Sequence, residues 1–239
     1  MALPKLNATP MYEMTIPSTG QVVRYRPYLV KEEKIMMLAF ESGDTRAALN
    51  SVIDTIDICL EESANVNVNE LSLFDIEYMF VKLRSKSVGE VSNLVSTCIN
   101  SECKHKNPIQ VDLETLDLNV PEGDTIVPLT DNIKVELKYP SYKSMIQSDI
   151  EKLEENPEVA LELISKCIVA ILTDEERINA KDESVEDLKQ FIESMTSSQF
   201  QKVAGFFENM PRLEKDISYN CQKCGKENMI LLKGLDNFF

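Results

Sequence analysis

Four of the six cysteines stand in two pairs, and these pairs are the residues of this sequence best suited to chemistry. The second pair, Cys221 and Cys224, has two residues between its members and is followed directly by Gly225. Cys-x-x-Cys spacing directs both sulfurs to one side of a turn, where they can bind one Zn²⁺, and the glycine allows a positive φ. Because a structural zinc takes four ligands, we expect Cys98 and Cys103 to supply the other two.

Four thiolates predict a structural zinc site rather than a catalytic one. A catalytic zinc keeps an open position and usually has histidine or carboxylate ligands, whereas four cysteines close the coordination sphere. Cys98 and Cys103 are spaced more widely than Cys-x-x-Cys, and His105, the single histidine, is an alternative to Cys103 as a ligand. The competing interpretation is four unrelated thiols. Cys59 and Cys167 lie in apolar helical patterns and are expected in the core.

The common catalytic motifs are missing from the sequence. It contains one histidine, only 7 glycines, no G-x-S-x-G and no glycine-rich phosphate loop. Acidic pairs are frequent, but 40 Asp and Glu residues produce them by chance. We therefore expect that the protein is not an enzyme.

The charge favours protein partners. A net charge of −15 disfavours binding to nucleic acid or to an anionic membrane, because both attract basic surfaces. No apolar run approaches the ~20 residues needed to span a bilayer, and the N-terminus lacks the apolar segment of a signal peptide. The expected location is the cytoplasm.

The hydrophobic pattern predicts an α+β protein that opens with a β-hairpin. Apolar and polar residues alternate over 11–16 and 22–28, on both sides of a turn rich in Pro, Ser and Gly. Helical spacing follows, with helices expected to begin near Val30, Thr45 and Ser72. We assign residues 1–90 to an N-terminal hairpin plus helical domain.

Both cysteine pairs lie at turns between predicted strands. The strands are 91–98 and 108–113 around the first pair, and 213–219 and 228–232 around the second. Two β-hairpins with cysteines at their tips describe a zinc ribbon, here split by an insertion. We assign residues 91–239 to this zinc-ribbon-like domain, with a helical insertion at about 141–210.

The segment between the cysteine pairs is predicted to be a hairpin followed by helices. The predicted strands are 125–129 and 133–139, and the predicted helices are 141–154, 157–172, 184–195 and 197–209. Residues 174–183 are expected to be a loop.

Two small groups of residues are candidate contacts with a partner. Lys82, Arg84 and Lys86 form the one clear basic cluster of this acidic chain, although basic residues at the end of a helix also stabilise its dipole. Phe238 and Phe239 end the chain, and two terminal aromatics either pack into the core or contact a partner.

Several segments resemble baseplate hub proteins of T4-like contractile-tailed bacteriophages. The resemblance covers nearly the whole chain and is carried by residues 3–39, 71–90 and 210–239, most specifically by FDIEY at 74–78, SKSVGE at 85–90 and the terminal cysteine turn. Members of that family usually have Cys-x-x-Cys at the first pair, from which Cys98 and Cys103 depart.

The resemblance implies a protein that acts in baseplate hub assembly, in the cytoplasm of the infected host or in the tail of the virion. Its partners are expected to be other hub and tail proteins, with a homo-oligomer as a further candidate assembly. A weaker likeness to tail assembly chaperones implies a transient factor absent from the mature virion. A zinc-ribbon adaptor or nucleic-acid-binding module unrelated to phages is a further alternative, disfavoured by the charge.

Overall fold

A computed structural model of the chain describes residues 10–116, 118–119, 125–147 and 156–233. These residues form seven α-helices and eleven β-strands, and the strands pair into four small antiparallel sheets. The α+β class predicted from the sequence is confirmed. In the described part of the chain, no helix is long and apolar enough to cross a bilayer.

The chain opens with the predicted hairpin of β1 (Tyr12–Thr15) and β2 (Val22–Tyr25), in which Tyr12 lies opposite Tyr25. Three helices follow, α1 (Val30–Glu41), α2 (Thr45–Cys59) and α3 (Leu73–Ser87). α2 begins where the Asp44 carboxylate accepts the N–H groups of Arg46 and Ala47, at 2.9 and 3.0 Å. These elements have the predicted order and type.

Two further hairpins carry the cysteine pairs. β3 (Val91–Thr97) pairs with β4 (Lys106–Asp112), and β10 (Arg212–Asn220) pairs with β11 (Glu227–Lys233). β10 also pairs with β5 (Leu118–Asn119), a two-residue strand that the sequence pattern did not predict. Both predicted cysteine hairpins are therefore present in the fold.

The insertion contains a four-stranded sheet as well as helices. Its elements are β6 (Ile126–Pro128), β7 (Lys134–Leu137), α4 (Tyr142–Gln147), α5 (Pro157–Cys167), β8 (Ile168–Leu172), β9 (Arg177–Asn179), α6 (Val185–Glu193) and α7 (Ser197–Glu208). The sheet has the order β6-β7-β8-β9. Its core is an apolar cluster that includes Val135, Leu137, Ile168, Ile192 and Val203.

Two predictions for the insertion are wrong. The helix that begins at Pro157 ends at Cys167 rather than at 172, and residues 174–183 contain strand β9 rather than only a loop. Residues 168–172 read Ile-Val-Ala-Ile-Leu, a short apolar run whose periodicity does not separate a strand from a buried helix. These residues form a strand because they pair with β7, and Ile168 and Ala170 are buried.

Contacts divide the chain into two compact units. One contains the described residues within Met1–Val68, Phe74–Asn119 and Arg212–Phe239, and the other contains those within Asn69–Leu73 and Val120–Pro211. The first unit thus holds the N-terminal hairpin, most of the three helices and both cysteine hairpins. The boundaries of these units differ from those of the two domains predicted from the sequence, 1–90 and 91–239. That division into domains stays a prediction.

Candidate metal centre

Each cysteine pair occupies the turn of its hairpin. The first pair follows β3, and the N–H of Cys98 donates to the carbonyl of His105 at 2.9 Å. The second pair follows β10, and the N–H of Cys221 donates to the carbonyl of Lys226 at 2.9 Å. These bonds close the two hairpins at their tips, so that the strands fix the position of both turns.

The two turns share one backbone hydrogen bond and one positive φ despite their different cysteine spacing. Gly225, at φ +70°, donates its N–H to the carbonyl of Cys221, four residues earlier, at 2.9 Å. Lys104, at φ +46°, donates in the same way to Asn100 at 3.1 Å. Asn100 therefore occupies the turn position that Cys221 has in the second hairpin. The wider first pair arises because Cys98 lies two residues before that position.

All four sulfur atoms lie within 4.8 Å of one another. The Sγ atoms of Cys98 and Cys224 are 3.7 Å apart, and those of Cys103 and Cys221 are 3.8 Å apart. Zn–S bonds of about 2.3 Å in a tetrahedron place sulfurs about 3.8 Å from each other. A disulfide requires about 2.05 Å, and all four cysteines are free thiols. The arrangement fits a single tetrahedral metal ion.

The donor set is four thiols with no carboxylate or imidazole. Within the described residues, this is the one group of three or more Cys, His, Asp or Glu side chains close enough to share an ion, and His105 is not part of it. Soft sulfur donors in a tetrahedron suit Zn²⁺. Cys98 and Cys221 are buried while Cys224 is exposed, which leaves a route for an ion from solvent.

Cys221 and Cys103 differ in how readily their thiols lose a proton. Burial opposes ionisation of Cys221, but the N–H groups of Cys224 and Lys223 and the amide of Asn107 outweigh it and lower the pKa of Cys221 to about 6. A backbone bond from His105 favours the Cys103 thiolate, yet burial and the nearby sulfurs raise the pKa of Cys103 to about 11. One thiolate therefore opposes formation of the next, and a divalent cation would supply the charge that stabilises all four.

The predicted basic contact group is engaged within the protein. Lys82 Nζ donates to the carbonyl of Glu114 at 3.0 Å, and Lys86 forms ion pairs with Glu90 and Glu114 at 2.8 and 3.2 Å. Burial lowers the pKa of Arg84. A role of these residues in partner binding stays a prediction. Phe238 and Phe239 lie outside the described residues.

Asn107 and Asn228 are site residues that the sequence analysis missed. Both are buried, and each bonds to the opposite cysteine turn. Each asparagine stands four residues after the second cysteine of its pair, so the repeated pattern Cys-x-x-x-Asn was a signal available in the sequence.

Comparison with known proteins places the chain in a family. A family model described as T4 bacteriophage base plate protein matches residues 9–239. The chain belongs to this family. It is also 22% identical over 228 residues to the baseplate hub assembly protein gp26 of Enterobacteria phage T4, a match that covers 95% of this chain and 97% of that protein. No solved structure matches the chain. The resemblance inferred from the sequence is thereby confirmed.

The positive φ of Gly225 gives a prediction for the stability of the second cysteine turn. Gly225→Ala is expected to lower the free energy of unfolding by about 1–2 kcal/mol, because an L-residue is strained in the left-handed region. A methyl group there would meet no atom within 4 Å, so the effect is conformational rather than steric. Urea unfolding measures it.

Gly205→Ala is the matched control for this substitution. Gly205 lies in α7, and its added methyl group would also meet no atom within 4 Å. Alanine in a helix interior is expected to stabilise the protein by roughly 1 kcal/mol. Equal effects of the two substitutions would contradict the role given to the backbone of Gly225.

Proposed function

We propose that this protein acts in assembly of the bacteriophage baseplate hub through protein–protein contacts, with a structural zinc ion bound by Cys98, Cys103, Cys221 and Cys224. The observation that carries the functional part is the match to a hub assembly protein over 97% of that protein's length, together with membership of the base plate family. Because the match spans both proteins, the role is proposed for the whole chain.

The sulfur geometry supports the zinc part of the proposal. Opposed sulfurs 3.7 and 3.8 Å apart have the spacing of a tetrahedral Cys₄ site. With all four positions filled by protein, the ion would have no water to activate, and its binding free energy would stabilise the fold. The two hairpins would then form a zinc ribbon split by the insertion.

The positions of the cysteines in the sequence determine which segment the ion would close into a loop. The first pair follows β3 and the second follows β10, so residues 104–220, which include the whole insertion, lie between them. One ion would fasten the two ends of this long segment to each other. Closing a loop of that length restricts the unfolded chain, which adds to the stability of the folded state.

The exposed apolar side chains of α1 and the net charge support a function that depends on protein–protein contacts. Helix α1 leaves Ile35, Met37, Leu38 and Phe40 at least 44% exposed, which is an unusual density of large apolar side chains on one helix. Proposed partners are other baseplate hub and tail proteins, with Lys82, Arg84, Lys86, Phe238 and Phe239 as candidate contacts. The net charge of −15 favours such partners over nucleic acid.

The test is a phage in which the gene for this protein is interrupted and restored from a plasmid. Infected cells are expected to accumulate unassembled hub components without the protein and to form complete tails when it is supplied. Normal numbers of tails without the protein would refute the proposal. Mass spectrometry of purified virions then separates a hub subunit, present in particles, from an assembly chaperone that leaves.

A further inference from the structure

The two cysteine turns carry the same asparagine at the same position. Asn107 follows Cys103 by four residues, and Asn228 follows Cys224 by four residues. Both side chains are only 1% exposed. A buried amide must satisfy a carbonyl oxygen and an NH₂ group, so the surroundings of each asparagine are strongly constrained.

The oxygen of each amide reaches across to the other hairpin. Asn107 Oδ1 accepts the N–H of Gln222 at 2.9 Å, and Asn228 Oδ1 accepts the N–H of Ile99 at 2.8 Å. Gln222 and Ile99 each come directly after the first cysteine of the opposite turn. The two bonds are therefore reciprocal, because each hairpin supplies one amide oxygen and one backbone N–H.

The nitrogen of each amide bonds to its own turn. Asn107 Nδ2 donates to the carbonyl of His105 at 3.1 Å, and Asn228 Nδ2 donates to the carbonyl of Lys226 at 2.6 Å. These carbonyls also accept the N–H groups of Cys98 and Cys221. Each asparagine thus connects the closing bond of its own hairpin to the cysteine turn of the other.

We infer that Asn107 and Asn228 form a reciprocal latch that sets the position of the two cysteine turns, and so holds the four sulfurs at the spacing a single metal ion requires. They are positioning residues, because neither is a member of the ligand set. The effect on metal affinity rests on the proposed zinc site, whereas the latch between the hairpins does not.

The two asparagines differ in one contact. Asn107 Nδ2 also lies 3.7 Å from the sulfur of Cys221, within hydrogen-bonding range for sulfur, while the amide of Asn228 is directed to Lys226. With a metal bound, Asn107 would therefore act on the electron density of the Cys221 sulfur as well as on the alignment of the turns. Because only Asn107 contacts a sulfur, its substitution should change the metal site in a way that substitution of Asn228 does not. A purely structural role for both residues would not predict this difference.

Amide hydrogen exchange of the full chain as purified tests the latch directly. Asn228→Ala is expected to speed exchange at Ile99, and Asn107→Ala at Gln222, by roughly fivefold to tenfold, because each loses its acceptor on the opposite hairpin. Asn107→Asp keeps that acceptor and should preserve protection at Gln222, which guards against a variant that simply fails to fold. Asn93→Ala is the matched control. It removes an exposed amide oxygen in β3 that accepts a bond from Gln110, and it should leave the amides of Ile99 and Gln222 protected. Unchanged exchange in both alanine variants would overturn the latch.

Binding of zinc and cobalt supplies the second measurement. Competition with a chromophoric chelator is expected to show about a 10- to 100-fold loss of Zn²⁺ affinity in both alanine variants. In the Co²⁺-substituted protein, the sulfur-to-metal charge-transfer band should shift in Asn107→Ala and not in Asn228→Ala. Unchanged affinity and identical spectra would overturn the positioning role.

The two measurements separate failure of the latch from failure of the zinc proposal. If the wild-type chain binds no zinc yet shows the reciprocal exchange pattern, the zinc proposal fails and the latch stands. If zinc binds with the same affinity in every variant and exchange is unaffected, the latch fails and the zinc proposal stands.

Discussion

Cys221→Ala is expected to abolish stoichiometric zinc binding and to unfold the unit that contains both cysteine hairpins. Cys221 is buried, and its sulfur lies 3.8 Å from that of Cys103, so alanine at this position removes one of the four clustered sulfurs. A structural zinc contributes about 10–16 kcal/mol, which is comparable to the roughly 5–15 kcal/mol by which a whole domain is stable. Native mass spectrometry should show one zinc per wild-type chain and none in the variant. Thermal unfolding of the wild type should shift strongly to lower temperature with a chelator.

Cys59→Ala is the matched control for loss of a buried thiol. Cys59 is 1% exposed in α2 and is not part of the sulfur cluster, so this variant should lose only about 1 kcal/mol and still bind one zinc. His105→Ala should also bind one zinc, because the sulfur cluster contains Cys103 and does not include His105. A wild-type chain that contains no metal and whose unfolding temperature a chelator does not change would contradict the zinc site.

The cysteine turns could be predicted from the sequence because their geometry is local. Cys-x-x-Cys followed by Gly225 specifies a turn within five residues, and strands on each side are visible in the apolar pattern. The first turn was harder to interpret, because its cysteines are spaced more widely. The segment from Asn100 to Lys104 nevertheless has the backbone bond and the positive φ of the second turn, with Asn100 in place of a cysteine and Lys104 in place of the glycine.

Features that depend on distant partners could not be predicted in the same way. The run 168–172 is a strand only because β7, far earlier in the chain, pairs with it. The two residues of β5 carry no pattern of their own and are defined by β10. The bonds of Asn107 and Asn228 likewise join residues more than a hundred positions apart, although the repeated Cys-x-x-x-Asn spacing was visible.

Leu137→Ala is expected to lower the free energy of unfolding by about 2–5 kcal/mol through the core of the insertion. Leu137 is 2% exposed in β7 and belongs to the apolar cluster that also contains Val135, Ile168 and Ile192. Truncation to alanine removes the transfer free energy of three carbon atoms and leaves a cavity that strands held by backbone bonds cannot readily fill. Urea unfolding monitored by far-UV circular dichroism measures the loss.

Leu38→Ala makes the same chemical change at a residue of α1 that is 58% exposed, and it should alter stability by less than about 0.5 kcal/mol. Since none of the four cysteines belongs to the unit that contains Leu137, the Leu137→Ala chain should keep the Co²⁺ charge-transfer absorption of the wild type under native conditions. Equal losses of stability in the two leucine variants would contradict the core assigned to the insertion. Loss of the cobalt absorption in Leu137→Ala, with the protein still folded, would show that the metal centre depends on that core and not on the two cysteine hairpins alone.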